Sequence, residues 1–311
     1  MIRGLVTAAI GLLLASCAAV PPPPLAAPQP EIAITIDDLP VHAPYPPDVT
    51  PNQVNEQMIA ALKAGHVPVI GFVNGIGTEQ HPETLQALRD WHAAGFPLGN
   101  HTWSHPHLSE ISLNQFEQEV TRGDPMLAQI NGDRDWRWFR YPFLDEGKDE
   151  AQRTAARRIL AKHGYRVADV TASFSDWAFT PAWARCNAAG DKTAVAELER
   201  MYLDALKESI SVARGTANAL YGRDIPYVLL MHISAMSAHM MPQVIQAYRD
   251  AGFRFVTIRQ AESDPVYRPD IDLSLPGRLP DWKLAQQKGV KLPQATDLGA
   301  RLDAMCPAPK S

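Results

Sequence analysis

The sequence contains no cluster of lysine or arginine, although 29 of its 311 residues are basic and 34 are acidic, with a formal net charge of −5. Without a basic patch, neither nucleic acid nor an anionic lipid surface is indicated as a partner. No apolar run is long enough to span a membrane, because the run at residues 4–14 is too short. The segment 74–77 lacks the third glycine of a dinucleotide-binding loop, so it predicts a turn.

The N-terminal segment has the features of an export signal. A basic start precedes the apolar run, and the residues before Cys17 resemble the lipobox of bacterial lipoproteins. This resemblance implies cleavage after residue 16 and a lipid anchor on Cys17, with an ordinary signal peptide as the alternative. Residues 17–30 are rich in proline and predict an extended spacer. We expect an extracytoplasmic, envelope-anchored protein facing the periplasm, and Ala18 favours the outer membrane where a cell has two.

Apolar strand-like segments alternate with amphipathic segments along residues 31–263. This alternation predicts an α/β fold with a parallel sheet, with enough units to close a (β/α) barrel. A long helix at about residues 194–213 falls in an insertion, residues 180–223, and residues 264–311 predict a tail packed on the domain. The predicted strands are at residues 32–36, 69–73, 96–99, 138–140, 165–168, 227–231 and 253–257, and the other predicted helices are at residues 51–64, 82–94, 112–130, 149–162 and 242–251.

Three cysteines are present, and two remain if Cys17 carries a lipid. In an oxidising compartment this even pair, Cys186 and Cys306, suggests one disulfide between the insertion and the tail. Two separate buried thiols are the alternative.

Candidate metal ligands and catalytic groups follow the predicted strands, where a parallel barrel has its active site. His101 and His105 are four residues apart, so on one face of a helical turn both could bind a single metal ion. Asp37 and Asp38 follow the first strand, and one of them can supply a carboxylate as third ligand. The further candidates at strand ends are Arg140, Asp176, Trp177 and His232.

These residue types support metal-assisted hydrolysis. An Asp-His-His set leaves metal positions open for water and a substrate carbonyl. A carboxylate beside it can take the proton of the water, and a histidine can protonate a leaving amine. Arg140 would keep the base ionised, and Asp176 would orient and charge His232.

Five ordered motifs resemble those of the NodB-type polysaccharide deacetylases, carbohydrate esterase family four. They are the segments 34–38, 101–105, 140–143, 176–177 and 230–232. The resemblance implies a distorted (β/α) barrel, a divalent metal that is usually zinc, and removal of N-acetyl or sometimes O-acetyl groups from glycans. Ligands of this type also suit cobalt or nickel.

Carried over by position, the resemblance assigns a role to each motif residue. Asp37 would be the general base and His232 the general acid, tuned by Arg140 and Asp176 respectively. A metal-activated water would be the nucleophile. Leu230 would line the pocket for the acetyl methyl, and the backbone N–H of Phe143 would help to stabilise the oxyanion. The implied metal ligands are Asp38, His101 and His105.

Three positions depart from the family pattern. Leu39, Tyr141 and Phe143 stand where many members have glycine, proline and tyrosine. These positions border the substrate groove, so the sequence does not predict which sugar binds there. The backbone N–H of Phe143 remains a donor whatever the side chain.

We also predict the locations of several other polar and aromatic residues. We expect Trp177 in the groove and Trp138 in the core. His42 is a candidate border residue of the site, His107 an exposed neighbour, and Asp145 a solvated loop carboxylate.

The sequence predicts a lipid-anchored, zinc-dependent deacetylase that acts on an N-acetylated saccharide. Two alternatives remain open. One is an amidase or O-acetyl esterase with the same fold that acts on a small acyl substrate. The other is a non-catalytic glycan-binding lipoprotein that uses the barrel as a scaffold.

Overall fold

The computed structural model describes residues 29–307. The predicted signal segment, Cys17 and most of the proline-rich spacer lie outside the described residues. Within the described range, no helix is both long enough and apolar enough to cross a membrane.

Seven parallel strands form one sheet within residues 29–307. They are β1 (Glu31–Leu39), β2 (Val69–Val73), β3 (Leu98–Asn100), β4 (Trp138–Phe139), β5 (Arg166–Val167), β6 (Tyr227–His232) and β7 (Arg254–Phe255). Their order is β5-β4-β3-β2-β1-β6, and β7 pairs with the first two residues of β1. The sheet therefore has its longest strand, β1, between β2 and β6.

The sheet curves into part of a barrel whose remaining gap is bridged by residues 168–172. Ala168 donates its N–H to Phe139 of β4, and Ala172 forms a parallel bridge with Leu229 of β6. These bonds connect the two ends of the sheet. The predicted distorted (β/α) barrel is therefore confirmed.

Helices connect the strands and pack on one another outside the sheet, as α1 does against α9 and α7 against α8. The helices of the described range are α1 (Pro51–Ala64), α2 (Ile76–Gln80), α3 (Leu85–Ala93), α4 (Leu113–Arg122), α5 (Asp124–Asn131), α6 (Glu150–Lys162), α7 (Phe179–Ala188), α8 (Lys192–Tyr221), α9 (Ala235–Asp250), α10 (Ile258–Ala261), α11 (Arg268–Ile271), α12 (Asp281–Lys288) and α13 (Gly299–Asp303). Both ends of α1 follow from the local sequence. Thr50 and Gln53 form a capping box at its start, and Gly65 ends the helix.

Some predicted helix limits are wrong. The helix predicted at residues 112–130 is two helices, because α4 ends at Arg122 and Pro125 in the first turn of α5 cannot continue the hydrogen-bond ladder of α4. The helix predicted from residue 242 begins at Ala235, capped by Ser234, and keeps Pro242 inside. Its buried face, which includes Met236 and Val244, outweighs the backbone bond that proline removes.

Other limits differ by smaller amounts. The helix of the insertion is 30 residues long and ends where Gly222 adopts a left-handed conformation, with φ of 72°. The predicted turn at residues 74–77 leads directly into α2, and a 3-10 turn, Pro82–Thr84, precedes α3. The tail contains α12, which packs on α8, and α13, which packs on α7.

The suggested disulfide is present. Cys186 in α7 is bonded to Cys306, which follows α13, across 120 positions of sequence. Arg185 supports the same contact, because its guanidinium donates to the carbonyl oxygens of Leu302 and Met305. The tail is therefore held on α7 by one covalent bond and several hydrogen bonds.

We predict that replacing both cysteines, Cys186→Ala with Cys306→Ala, lowers the free energy of unfolding by on the order of 4 kcal/mol, because the bond closes a long loop in the unfolded chain. Urea unfolding monitored by circular dichroism measures this change. Wild-type protein kept under reducing agent is the control and should match the double variant. A loss below about 1 kcal/mol would contradict the prediction.

Candidate active site

The predicted polar residues meet at the carboxyl end of the barrel strands. Asp37 and Asp38 lie near the end of β1, His101 directly follows β3, and His232 is the last residue of β6. Together with other side chains they line a cavity of about 380 Å³. The complete lining is Asp37, Asp38, His42, His101, His105, Tyr141, Phe143, Leu144, Ser173, Trp177, Leu230 and His232.

Adjacent aspartates reach the same cavity because β1 is irregular at this point. In a regular strand, neighbouring side chains point to opposite faces of the sheet. The register of β1 against β2 shifts between Ile36 and Leu39, and Asp38 has a left-handed φ of 65°. This strained bulge turns both carboxylates toward the cavity, as expected of a functional site.

Asp38, His101 and His105 form a convergent ligand set. Oδ1 of Asp38 lies 3.5 Å from Nε2 of His101 and 3.4 Å from Nε2 of His105. The three ligand atoms lie within 4.8 Å of one another. Oδ1 of Asp38 is buried without a hydrogen-bond partner, which is costly unless a cation or water binds there. The set therefore fits a divalent metal ion.

The predicted helical turn around these histidines is wrong. The segment after β3 is a loop, in which Thr102 and His105 adopt left-handed φ values of 67° and 61°. The N–H of His105 donates to Oγ1 of Thr102, and the N–H of Thr102 donates to Oδ1 of Asn100. Hydrogen bonds to side chains thus bring the two imidazoles together without a helix.

Hydrogen bonds and burial orient and tune the residues of the ligand set. Nδ1 of His101 lies 2.8 Å from the carbonyl oxygen of Arg140, so Nδ1 donates to this oxygen and Nε2 is the atom that faces Asp38. Burial and the neighbouring His101 lower the pKa of His105 to about 4. Burial would raise the pKa of Asp38, but its bond with His42 and the nearby histidines hold it well below its usual value. His105 is therefore available as a neutral donor and Asp38 as an anion.

Asp37 is held by Arg140. The guanidinium lies behind the cavity with 1% of its surface exposed, and its Nη1 lies 3.2 and 3.1 Å from the two carboxylate oxygens of Asp37. Nε of Arg140 donates to the carbonyl of Ala168, and Nη2 donates to Oγ1 of Thr35. Asp37 is thereby fixed beside a positive charge, with its Oδ2 3.7 Å from Nε2 of His101.

His232 is held by Asp176, which lies in a 3-10 turn, Asp176–Ala178, and is fully buried. Nδ1 of His232 lies 2.8 Å from Oδ1 of Asp176, whose Oδ2 accepts from the backbone N–H of His232 and from Ser237. Burial favours the neutral imidazole, but the Asp176 carboxylate outweighs it and raises the pKa of His232 to about 9. His232 is therefore protonated at neutral pH.

Apolar side chains form the mouth of the cavity. Phe143, Leu144 and Trp177 are 57%, 47% and 53% exposed. The ring of Phe143 stacks on His107 with centroids 3.7 Å apart, and Leu230 contributes to the cavity wall. Trp177 thus lies at the mouth of the cavity and Trp138 is buried in the core, both as expected.

Asp145 differs from its expected surroundings, whereas His42 lies at the border of the site as expected. Asp145, predicted to be solvated, joins two loops, because its Oδ2 accepts from the N–H and Oγ of Ser109 and its Oδ1 accepts from the N–H of Gly147. His42 is a full member of the cavity wall, with Nδ1 2.7 Å from Oδ2 of Asp38. Its place in the loop after the first strand was the signal in the sequence.

The chain is similar in sequence to a known protein family and to several of its members. Residues 25–168 match the family model described as polysaccharide deacetylase. The peptidoglycan-N-acetylglucosamine deacetylase of Bacillus cereus is 26% identical over 102 residues, which are 33% of this chain and 32% of that protein. The peptidoglycan-N-acetylmuramic acid deacetylase PdaC of Bacillus subtilis is 32% identical over 107 residues, which are 34% of this chain and 20% of that protein. The matches thus span a third or less of these relatives.

A solved structure shares the fold. It is described as a CE4 family pseudoenzyme from Bacillus anthracis, is 15% identical, and superimposes over 75% of this chain and 65% of its own with a TM-score of 0.53. This likeness concerns the fold alone. The resemblance to the polysaccharide deacetylases is confirmed by the family match at residues 25–168, which includes the first three of the five motifs.

Proposed function

We propose that the protein is a metal-dependent hydrolase that removes acetyl groups from an N-acetylated saccharide, and that residues 31–263 carry this activity. The observation that supports it most directly is the convergence of Asp38, His101 and His105, with Asp37 and His232 in the same cavity. A divalent cation held by this set, zinc first and cobalt or nickel as alternatives, would polarise the acetyl carbonyl and activate water.

Two protein groups of the cavity divide the proton transfers between them. Asp37, held by Arg140, takes a proton from the attacking water. His232, charged and oriented by Asp176, gives a proton to the leaving nitrogen as the C–N bond breaks. The products are acetate and a free amine. The backbone N–H of Phe143 supports the developing oxyanion, and Leu230 packs against the acetyl methyl.

An acetylated glycan of the cell envelope is the substrate class that we propose. The two curated relatives act, by their descriptions, on N-acetylglucosamine and N-acetylmuramic acid of peptidoglycan. The exposed rings of Trp177 and Phe143 at the cavity mouth suit stacking on sugar rings. A lipid on Cys17 and the spacer after it would hold the enzyme at the envelope, facing the periplasm.

An acetate-release screen tests the substrate class. We expect release from chito-oligosaccharides or peptidoglycan fragments to exceed release from simple aryl acetates at equal concentration. The reverse order would favour an O-acetyl esterase or an amidase for small acyl compounds.

We predict that Asp37→Asn lowers kcat for acetate release about 100- to 10,000-fold, the range for loss of a general base. The zinc content should not change, because Asp37 is outside the ligand set. Asp133→Asn, which changes an exposed carboxylate in the same way, is the matched control. Substantial turnover in the Asp37 variant would refute its role as base.

We predict that a chelator abolishes acetate release and that added zinc restores it. Protein purified without chelator should contain about one metal ion per chain, since one three-ligand set is present in the described residues. Elemental analysis and activity assays measure both quantities. Metal-free protein under these conditions would favour the non-catalytic alternative.

The pH dependence tests the acid. The pKa of His232 is raised to about 9 chiefly by Asp176, against the effect of burial, so its proton is lost as the pH rises through that value. We predict that Asp176→Asn lowers this pKa and moves the alkaline limb of the kcat/KM profile to lower pH by roughly 1–3 units. An unmoved limb would show that another group is the acid.

A further inference from the structure

His42 is a polar residue of the cavity to which the proposed reaction assigns no role. It lies in the loop after β1, and its side chain is 19% exposed. Its Nδ1 lies 2.7 Å from Oδ2 of Asp38, and its ring centroid lies 5.2 Å from that of His232. His42 is therefore in direct contact with the one carboxylate of the ligand set.

The hydrogen bond between His42 and Asp38 has a defined direction. An ionised carboxylate can only accept hydrogen bonds, so Nδ1 of His42 carries a proton and donates a hydrogen bond to Oδ2 of Asp38. The two oxygens of Asp38 are consequently different. Oδ2 is occupied by His42, whereas Oδ1 has no hydrogen-bond partner and lies between the Nε2 atoms of His101 and His105.

This arrangement fixes the rotation of the carboxylate. If Asp38 turned about its terminal bond, Oδ2 would lose the imidazole donor and Oδ1 would leave the ligand set. The loop also fixes His42, because its backbone N–H donates to the hydroxyl of Tyr45 and the N–H of Val41 donates to the carbonyl of Asp38. A short, closed loop thus holds the imidazole against one side of the carboxylate.

We propose that His42 is a positioning residue for the metal centre, whose Nδ1–H holds the Asp38 carboxylate so that Oδ1 faces the cation. The inference rests on the proposed function, because it requires a metal at Asp38, His101 and His105. The convergent ligand set does not include His42, and its Nδ1 is already engaged with Oδ2. Partners of this kind typically change metal affinity 10- to 100-fold.

Zinc affinity of the full chain, measured by competition with a chromophoric chelator, tests the proposal. His42→Ala removes the donor and should weaken zinc binding about 10- to 100-fold. His42→Asn places an amide N–H near the position of Nδ1 and should recover most of the affinity. His42→Gln carries its amide farther out, near the position of Nε2, and should not. His163→Ala is the matched control, since it removes a 2.8 Å histidine–carboxylate contact to Glu117 outside the cavity.

The possible outcomes separate the inference from the proposed function. Unchanged affinity in His42→Ala overturns the positioning role. Equal loss in the alanine and asparagine variants overturns it too, because His42 would then be a ligand itself. If wild-type protein binds no zinc, the metal site fails and the inference fails with it. Circular dichroism of each metal-free variant checks folding, and the asparagine and glutamine pair suffices if the alanine variant unfolds.

Discussion

The buried guanidinium of Arg140 is the interaction on which the geometry of the site depends. A charge with so little exposure needs a paired anion and further acceptors, and Asp37, Thr35 and Ala168 supply them from β1 and from the segment after β5. The backbone carbonyl of the same residue accepts the Nδ1 proton of His101. Arg140 therefore fixes the proposed base through its side chain and one proposed metal ligand through its main chain.

The histidines of the cavity show how surroundings divide one residue type between two tasks. His105 is half-buried beside another imidazole, so burial and His101 keep it neutral. His232 is also shielded from water, but Asp176 contacts both its ring and its backbone N–H and keeps it charged. A neutral imidazole can donate a lone pair to a cation, and a charged one can donate a proton. The hydrogen bonds of Asp176 to His232 thus distinguish the proposed acid from the proposed metal ligand.

Much of this site could be predicted from the sequence, because parallel strands end at one edge and polar residues after them must meet there. For this, the strands need only be parallel. Loop conformation does not follow from it, and the four-residue spacing of His101 and His105 predicted a helical turn where left-handed backbone is present. The bulge that turns Asp38 toward Asp37, and the bond from His42 to Asp38, depend on backbone angles that no periodic pattern encodes. A strained backbone conformation of this kind persists only where the surrounding structure stabilises it.

The C-terminal tail is linked to the candidate active site through α7. The 3-10 turn that carries Asp176 and Trp177 runs directly into the first residue of α7, and Cys186 near the other end of that helix is bonded to Cys306. Because a helix transmits position along its axis, a fixed C-terminal end restricts where the turn can lie. The disulfide and the bonds of Arg185 to the tail therefore do more than close a loop. They hold the segment that orients the proposed acid and places an exposed indole at the mouth of the cavity.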